Sequence, residues 1–251
     1  MNTNESEAGS GAGWSEHAEW WIDGFTGGVD PEYVEQIIPM AVDELGGRGR
    51  VLDIGCGEGQ ISRAVAATGA TVTGVDPVER HIKLAGERGG GPEYRLGSAD
   101  SLPFGDETFD AVVACLVFEH IDDLDAAISE VSRVLVPGGR FAFFLNHPLL
   151  QTPGSGWIDD HMIDPPEQYW RIGPYLTETA THEEVEPGVF IRFVHRPLSR
   201  YVNCLAEHGL VVRRMAEPSP PDGFLRRAPE YPLAATVPRL LYLRAEKHAH
   251  E

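Results

Sequence analysis

Hydrophobic positions follow two rhythms along this chain. Between residues 50 and 146, short apolar runs alternate with segments whose apolar residues fall three or four apart. The runs Arg50–Ile54, Thr71–Val75, Glu93–Leu96, Asp110–Cys115 and Arg140–Leu145 predict strands. The intervening Gln60–Thr68 (with Ile61, Val65 and Ala66), Glu79–Gly86 and Asp123–Leu135 (with Ala126, Ala127, Val131 and Val134) predict helices, and Pro137-Gly138-Gly139 predicts a turn. Strands alternating with helices predict a parallel sheet covered on both faces. Upstream, residues 1–13 are small, polar and glycine-rich, and read as a flexible tail. Trp14–Gly24 reads as a helix carrying Trp14, Trp20 and Trp21. Asp30-Pro31-Glu32 is a helix start, and that helix runs through Tyr33, Ile37 and Val42 to Leu45, where Gly46-Gly47 ends it.

After Asn146 the rhythm breaks. Residues 147–194 hold Pro148, Pro153, Pro165, Pro166 and Pro174, together with Trp157, Tyr169, Trp170 and Tyr175. A long irregular segment inside a compact domain is expected to be a lid or binding loop, and so many large aromatics argue against disorder. Regularity returns with a helix at Leu198–His208 and strands at Leu210–Ala216 and Leu240–Glu246. The chain therefore divides into a tail and N-terminal helical cap (1–48), an α/β core (49–146), an inserted segment (147–195) and a C-terminal return to the core sheet (196–251).

Composition narrows the function classes. The formal net charge is −19, which disfavours nucleic-acid backbones. The basic pairs Arg213-Arg214 and Arg226-Arg227 read as solvated surface rather than a groove. No stretch approaches the roughly 20 apolar residues of a membrane span, and the first residues lack the basic and apolar regions of a signal peptide. Cys56, Cys115 and Cys204 are an odd, scattered set that suits a reducing compartment better than a disulfide framework. A cytoplasmic chain, monomeric or homodimeric, with no membrane or nucleic-acid partner, is expected.

The chemistry concentrates in Val51-Leu52-Asp53-Ile54-Gly55-Cys56-Gly57-Glu58-Gly59. A buried strand ends, a glycine-rich turn follows and a helix begins, which is where open α/β sheets bind ligands. The dinucleotide fingerprint is G-x-G-x-x-G. Here the spacing is G-x-G-x-G, and Asp53 precedes it, a carboxylate poorly placed beside a pyrophosphate but suited to a cationic ligand. Asp53-x-Gly55-x-Gly57-x-Gly59 resembles motif I of the class I S-adenosylmethionine (SAM)-dependent methyltransferases. Four further segments match in order: Gly74-Val75-Asp76; Gly97-Ser98-Ala99-Asp100-Ser101-Leu102-Pro103-Phe104; Phe109-Asp110-Ala111-Val112-Val113 with Phe118-Glu119-His120-Ile121; and Arg133-Val134-Leu135-Val136-Pro137-Gly138-Gly139. The resemblance covers roughly residues 48–146 and is greatest to the ubiquinone- and menaquinone-biosynthesis type. It implies a seven-stranded Rossmann-like sheet of order 3-2-1-4-5-7-6 with a reversed last strand, and SAM as cofactor. It also implies that Asp76 bonds both ribose hydroxyls and that Asp100 reaches the adenine amino group. Asp53, Gly55, Gly57, Gly59, Asp76, Pro77, Ala99, Asp100, Ser101 and Cys115 are the expected cofactor-binding residues. Taken singly, Asp53 and Asp76 could be capping or turn residues; in the ordered series the site reading prevails.

Methyl transfer is an in-line displacement at an activated sulfonium, so orientation and exclusion of water can supply much of the rate. A base is needed only if the acceptor must lose a proton. His147 and His120 follow predicted strands at the ligand edge, and His195 ends the inserted segment; each is a candidate base, against the alternative of a backbone-bonding or turn-capping histidine. Trp157, Tyr169, Trp170 and Tyr175 are the candidate acceptor wall, against plain packing. The N-terminal tryptophans are candidates to cover the cofactor entrance. Asp159-Asp160-His161 and Asp164 look metal-like but read better as a solvated or capping loop, and no metal site is expected. The expected function is methyl transfer to an O, N or C atom of a small-molecule acceptor. The rivals are an RNA or protein methyltransferase, a non-catalytic SAM-binding protein of the same fold and a nicotinamide dehydrogenase.

Overall fold

A computed structural model describes residues 12–249; the expected flexible tail lies almost wholly outside the described residues. Two short helices open the chain, α1 (Ala12–Glu16) and α2 (Ala18–Phe25), broken at His17 where one helix was expected. Asp30 accepts the Glu32 N–H at 2.8 Å and starts the next helix. That helix begins as a π-helical stretch, Tyr33–Ile37, and continues as α3 (Ile38–Leu45). Then β1 (Arg50–Ile54), α4 (Gln60–Ala66), β2 (Thr71–Asp76), α5 (Glu79–Arg88), β3 (Glu93–Leu96), β4 (Phe109–Cys115), α6 (Leu124–Val134) and β5 (Leu135–Asn146) alternate as expected. Asp123 caps α6 by accepting the Ala126 N–H at 2.9 Å. One boundary differs. The expected turn at Pro137-Gly138-Gly139 lies within β5 as a register shift against β4, because Leu135 still pairs with Phe109 before Arg140 pairs with Ala111.

The strand β10 (Leu210–Ala216) follows helix α8 (Leu198–Glu207), and β11 (Leu240–Lys247) closes the chain. The sheet order is β3-β2-β1-β4-β5-β11-β10, with β11 antiparallel to both neighbours. This is the expected topology, reversed strand included. Alternate residues of the central strands feed opposite faces. Phe141, Phe143 and Leu145 of β5 pack with Leu124, Ile128, Val131, Tyr201 and Leu205 of α6 and α8. Ala142 and Phe144 pack on the other face with Tyr33, Ile37, Ala41 and Leu45 from the segment before β1, and with Ile61 and Val65 of α4. Both faces are thus covered, and the strand ends are left as the available site.

The inserted segment is a correction to the sequence reading. It is not irregular: after the short α7 (Pro148–Gln151) it forms two antiparallel hairpins, β6 (Gly156–Asp160) with β7 (Glu167–Arg171) and β8 (Thr179–Glu186) with β9 (Val189–His195). The only apolar residues of β8, Ala180 and Val185, fall at odd spacing, so the strand shows no two-residue apolar rhythm. In the segment of Asp159, Asp160, His161 and Asp164, read as a solvated or capping loop, Asp160 accepts the Met162 N–H at 2.9 Å and Asp159 accepts from the Gln168 amide across the hairpin at 2.7 Å. A four-residue α9 (Asp222–Leu225) lies between β10 and β11.

Candidate active site

A cavity of about 900 Å³, its open mouth included, lies at the carboxyl ends of β1, β2 and β4. Its floor is the turn after β1. Gly55, Gly57 and Gly59 all adopt positive φ, which explains glycine at each. They differ in what a side chain would meet. A Cβ on Gly59 would collide with the Tyr94 hydroxyl, and one on Gly55 with the Val117 side chain. On Gly57 the nearest atom is the Trp21 indole nitrogen at 3.4 Å, so the Gly57 backbone faces open cavity. Gly59 does not line the cavity. It starts α4 and makes room for β3.

Asp53 is fully buried at the end of β1, where Ser62 Oγ donates to its Oδ2 at 2.5 Å. Burial, partly offset by that bond, pushes its carboxyl up to about 7. A cation entering the cavity would draw it back to the charged form. Asp76 ends β2 and is held on both oxygens. The Gly57 N–H donates to Oδ2 at 2.9 Å, the Val78 N–H donates to Oδ1 at 2.9 Å, and His81 Nδ1 lies 3.2 Å from Oδ1. The carboxylate is therefore fixed in the wall before any ligand arrives, with lone pairs to spare. Glu58, buried beside it, is neutralised by Arg63 at 2.5 Å and by Arg88. Pro77, Ala99 and Cys115 also line the cavity, with Ser98 and His81. Asp100 and Ser101 do not: a bridge between Ser98 and Ser101 makes a tight turn, and Ser98 Oγ donates to the exposed Asp100 at 2.5 Å.

The far wall comes from remote parts of the chain. Trp14 of α1 and Trp21 of α2 line the cavity. They stand edge to face, 5.6 Å between ring centroids. Trp20 instead packs on Phe25. His120, on a single turn of 3-10 helix after β4, lies 4.8 Å from Trp14 and 4.7 Å from Phe193 of β9. Its Nδ1 is 2.8 Å from the Arg192 carbonyl. A carbonyl only accepts, so Nδ1 carries the proton and Nε2 keeps a lone pair. Burial pushes this imidazole down to about 4, so it is neutral at physiological pH. Arg196 fixes the loop beneath it, donating to the carbonyls of Phe118 (3.2 Å), Ile121 (2.7 Å) and Asp122 (2.8 Å).

The other two histidines are occupied elsewhere. His147 caps α7: its Nδ1 accepts the Leu149 N–H at 3.1 Å and its Nε2 donates to Glu217 at 2.7 Å. Both ring nitrogens are spent, and it does not line the cavity. His195 Nε2 donates to the Tyr175 carbonyl at 2.8 Å, while the Tyr175 hydroxyl accepts the Leu198 N–H at 2.9 Å, so this pair fastens the insertion to α8. Trp157 stacks on Tyr231 at 5.5 Å and meets Trp170 edge to face at 5.5 Å. None of Trp157, Tyr169, Trp170 and Tyr175 lines the cavity: Trp157 and Trp170 pack on each other, Tyr175 packs on His195, and Tyr169 is exposed.

Residues whose roles are not legible in sequence include His81, Ser62 and Glu119, the last quoted above only as part of a matching segment. His81 sits five residues after Asp76, at the first turn of α5, and Ser62 is a polar residue on the buried face of α4. Glu119 is buried and its carboxyl is pushed up to about 7 by desolvation. It accepts the Asn146 N–H at 3.1 Å and the Asn146 side-chain amide at 2.8 Å, joining the ends of β4 and β5.

The sheet order, the glycine turn with Asp53, and Asp76 on the cavity wall together meet the pattern of one family. Residues 52–143 match its model, described as a methyltransferase domain. This segment is a class I methyltransferase domain. Among curated relatives, the domain and its flanks are 36% identical over 153 residues to a ubiquinone biosynthesis O-methyltransferase of Agrobacterium fabrum, covering 53% of this chain and 60% of that one. A ubiquinone biosynthesis O-methyltransferase of Rhizobium leguminosarum is 43% identical over 94 residues, covering 36% of this chain and 37% of the other. The chain thus spans less than two thirds of the length of these relatives. A solved S-adenosylmethionine-dependent methyltransferase from Mesorhizobium loti superposes with a TM-score of 0.73 at 26% identity, over 84% of this chain and 96% of that one. The methyltransferase domain therefore stands inside a chain whose fold is matched over 84% of its length by a SAM-dependent enzyme.

Proposed function

We propose that this chain transfers a methyl group from SAM to an oxygen of a small, largely apolar acceptor. The observation that carries the reading is a single cavity with two unlike walls. One wall offers the open Gly57 backbone, Asp76 and Asp53; the other offers an uncharged imidazole among tryptophans. The residues fit SAM. Asp76 would hold its ribose hydroxyls, Gly55 and Gly57 would allow close approach, and the buried Asp53 would match its positive charge; Asp100, exposed outside the cavity, would have to turn inward to reach the adenine. When bound, SAM supplies an electrophilic methyl on a sulfonium. His120 takes the acceptor hydroxyl proton on Nε2, and the Arg192 carbonyl steadies the imidazolium that forms. Trp14 and Trp21 hold the acceptor and exclude water. The relatives that bear the O-methyltransferase name support oxygen as the methylated atom.

The charge of −19 and the pairing of Arg213 with Glu246 (3.3 Å) and Arg226 with Glu35 (3.5 Å) support a small molecule over nucleic acid. Among the described residues no helix is long and apolar enough to cross a membrane. The three cysteines are free and buried, which suits a cytoplasmic setting. The test is calorimetry with SAM and S-adenosylhomocysteine, followed by a screen of hydroxylated aromatic compounds with methyl-labelled SAM. Binding of both cofactors and label on an acceptor oxygen are expected. Binding of NAD in their place would overturn the reading.

A further inference from the structure

Away from the cavity, the end of α8 meets the start of α6. Cys204 and His208 are four residues apart, hence on one face of the helix end. Asp125, in the first turn of α6, faces them. Cys204 Sγ lies 3.5 Å from Asp125 Oδ1, and His208 Nε2 lies 3.8 Å from the same oxygen. The three ligand atoms all lie within 4.8 Å of one another. Ligand atoms on a tetrahedral zinc, at 2.0–2.3 Å from the metal, stand roughly 3.3–3.6 Å apart, so small side-chain adjustments bring this trio into place. We propose that Asp125, Cys204 and His208 form a binding site for a thiophilic divalent cation of the zinc type, which fastens the end of α8 to the start of α6.

The donor set selects the metal class. One sulfur, one imidazole nitrogen and one carboxylate oxygen suit Zn²⁺ or Co²⁺ and not Mg²⁺ or Ca²⁺, which take oxygen. Three protein ligands leave a fourth position for water. Arg200 pairs with the other oxygen of Asp125, and also lies 3.7 Å from Glu178. It turns Oδ1 towards the cysteine and histidine, as an outer-shell partner orients a ligand. Cys204 is buried, whereas Asp125 and His208 are partly exposed, so the site opens to solvent on the carboxylate and imidazole side. None of the three lines the cavity, so the site is separate from methyl transfer. Asp125 is 79 residues from Cys204, so no local spacing in the sequence marks the trio.

The experiment is titration of the reduced, purified chain with Co²⁺, read by absorbance, then displacement by Zn²⁺. One equivalent should give a sulfur-to-cobalt charge-transfer band and tetrahedral visible bands, both lost on adding Zn²⁺. Cys204→Ser should abolish the charge-transfer band. The partly exposed His208→Ala and Asp125→Asn, with folding checked by circular dichroism, should each weaken Zn²⁺ by more than the roughly 10- to 100-fold typical of losing an outer-shell partner. Zn²⁺ should raise the melting temperature of the parent chain and leave that of His208→Ala unchanged. A missing charge-transfer band in the parent chain, or affinity unchanged in both His208→Ala and Asp125→Asn, would overturn the site. A band that survives Cys204→Ser would assign the metal to another thiol and overturn it equally.

Discussion

The two walls of the cavity are built in different ways. The cofactor wall comes from adjoining loops of one sheet: the turn after β1, the end of β2 and the start of the loop after β3. Its key bonds run between near neighbours in the fold, such as the Gly57 N–H to Asp76. The wall proposed for the acceptor is gathered from the N-terminal helices and the loop after β4, steadied by β9 of the insertion. A wall made of consecutive strand ends is specified by local sequence, since backbone turns and a few carboxylates suffice. A wall made of distant pieces is specified only once the chain has folded. The two walls should therefore fail separately.

The largest effect should come from His120→Ala. Loss of a general base slows turnover by roughly 10²- to 10⁴-fold, and SAM affinity should stay near that of the parent, measured by steady-state rates and calorimetry. A parallel collapse of SAM affinity would show that the walls are not separable. Next, Asp76→Ala removes charge-assisted bonds worth about 1.5–3 kcal/mol, so SAM affinity should fall roughly ten- to hundredfold. The acceptor KM, extrapolated to saturating SAM, should barely change.

Asp53 makes a pH prediction. Its carboxyl is pushed up to about 7 by burial, and bound cation favours the charged form. SAM affinity should therefore be level above about pH 7 and fall by up to about tenfold per unit below it. Asp53→Asn should flatten that profile. Stability runs the other way. Asp53 and Glu119 both have folded values raised above their unfolded ones. Their contribution is complete below the ordinary carboxylate range and is lost as pH rises through about 7, at about 1.4 kcal/mol per unit for each group. Thermal melts of the ligand-free chain should show this decline, and saturating SAM should offset only the part due to Asp53.

The smallest effects should come from residues that the sequence placed in the site and the structure does not. His147→Ala loses a helix cap, worth about 0.5–2 kcal/mol, and Trp170→Ala loses an aromatic contact worth about 0.5–1.5 kcal/mol beyond its buried area. Both should lower the melting temperature and leave turnover close to that of the parent. A hundredfold loss in either would return the acceptor wall to the insertion.

The same asymmetry decides what was legible. The sheet order, Asp53, Asp76 and the glycine turn lie in contiguous runs with strong punctuation, and most strand and helix limits there agree within two residues. The second hairpin of the insertion is not legible in sequence because Ala180 and Val185 of β8 fall at odd spacing and give no two-residue apolar rhythm. The role of Trp157 was missed because its stacking partner, Tyr231, is in the C-terminal region. His147 and His120 look equivalent in sequence, each just past a strand. They are told apart by Glu217, 70 residues from one, and the Arg192 carbonyl, 72 residues from the other.

The bond that sets the tautomer of His120 is made by a main-chain carbonyl. Every amino acid carries that group, so the identity of residue 192 is irrelevant to it provided that β9 keeps its path. Arg192 itself spends its side chain outward, on Asp122. Selection on the imidazole therefore acts on the position of a strand and not on a letter of the sequence. Residue 192 can therefore change while the histidine keeps its tautomer, provided that β9 keeps its course and Phe193 its packing on the ring. An engineer who grafts new acceptor preferences onto this scaffold can vary residue 192 without touching the bond that sets the imidazole tautomer.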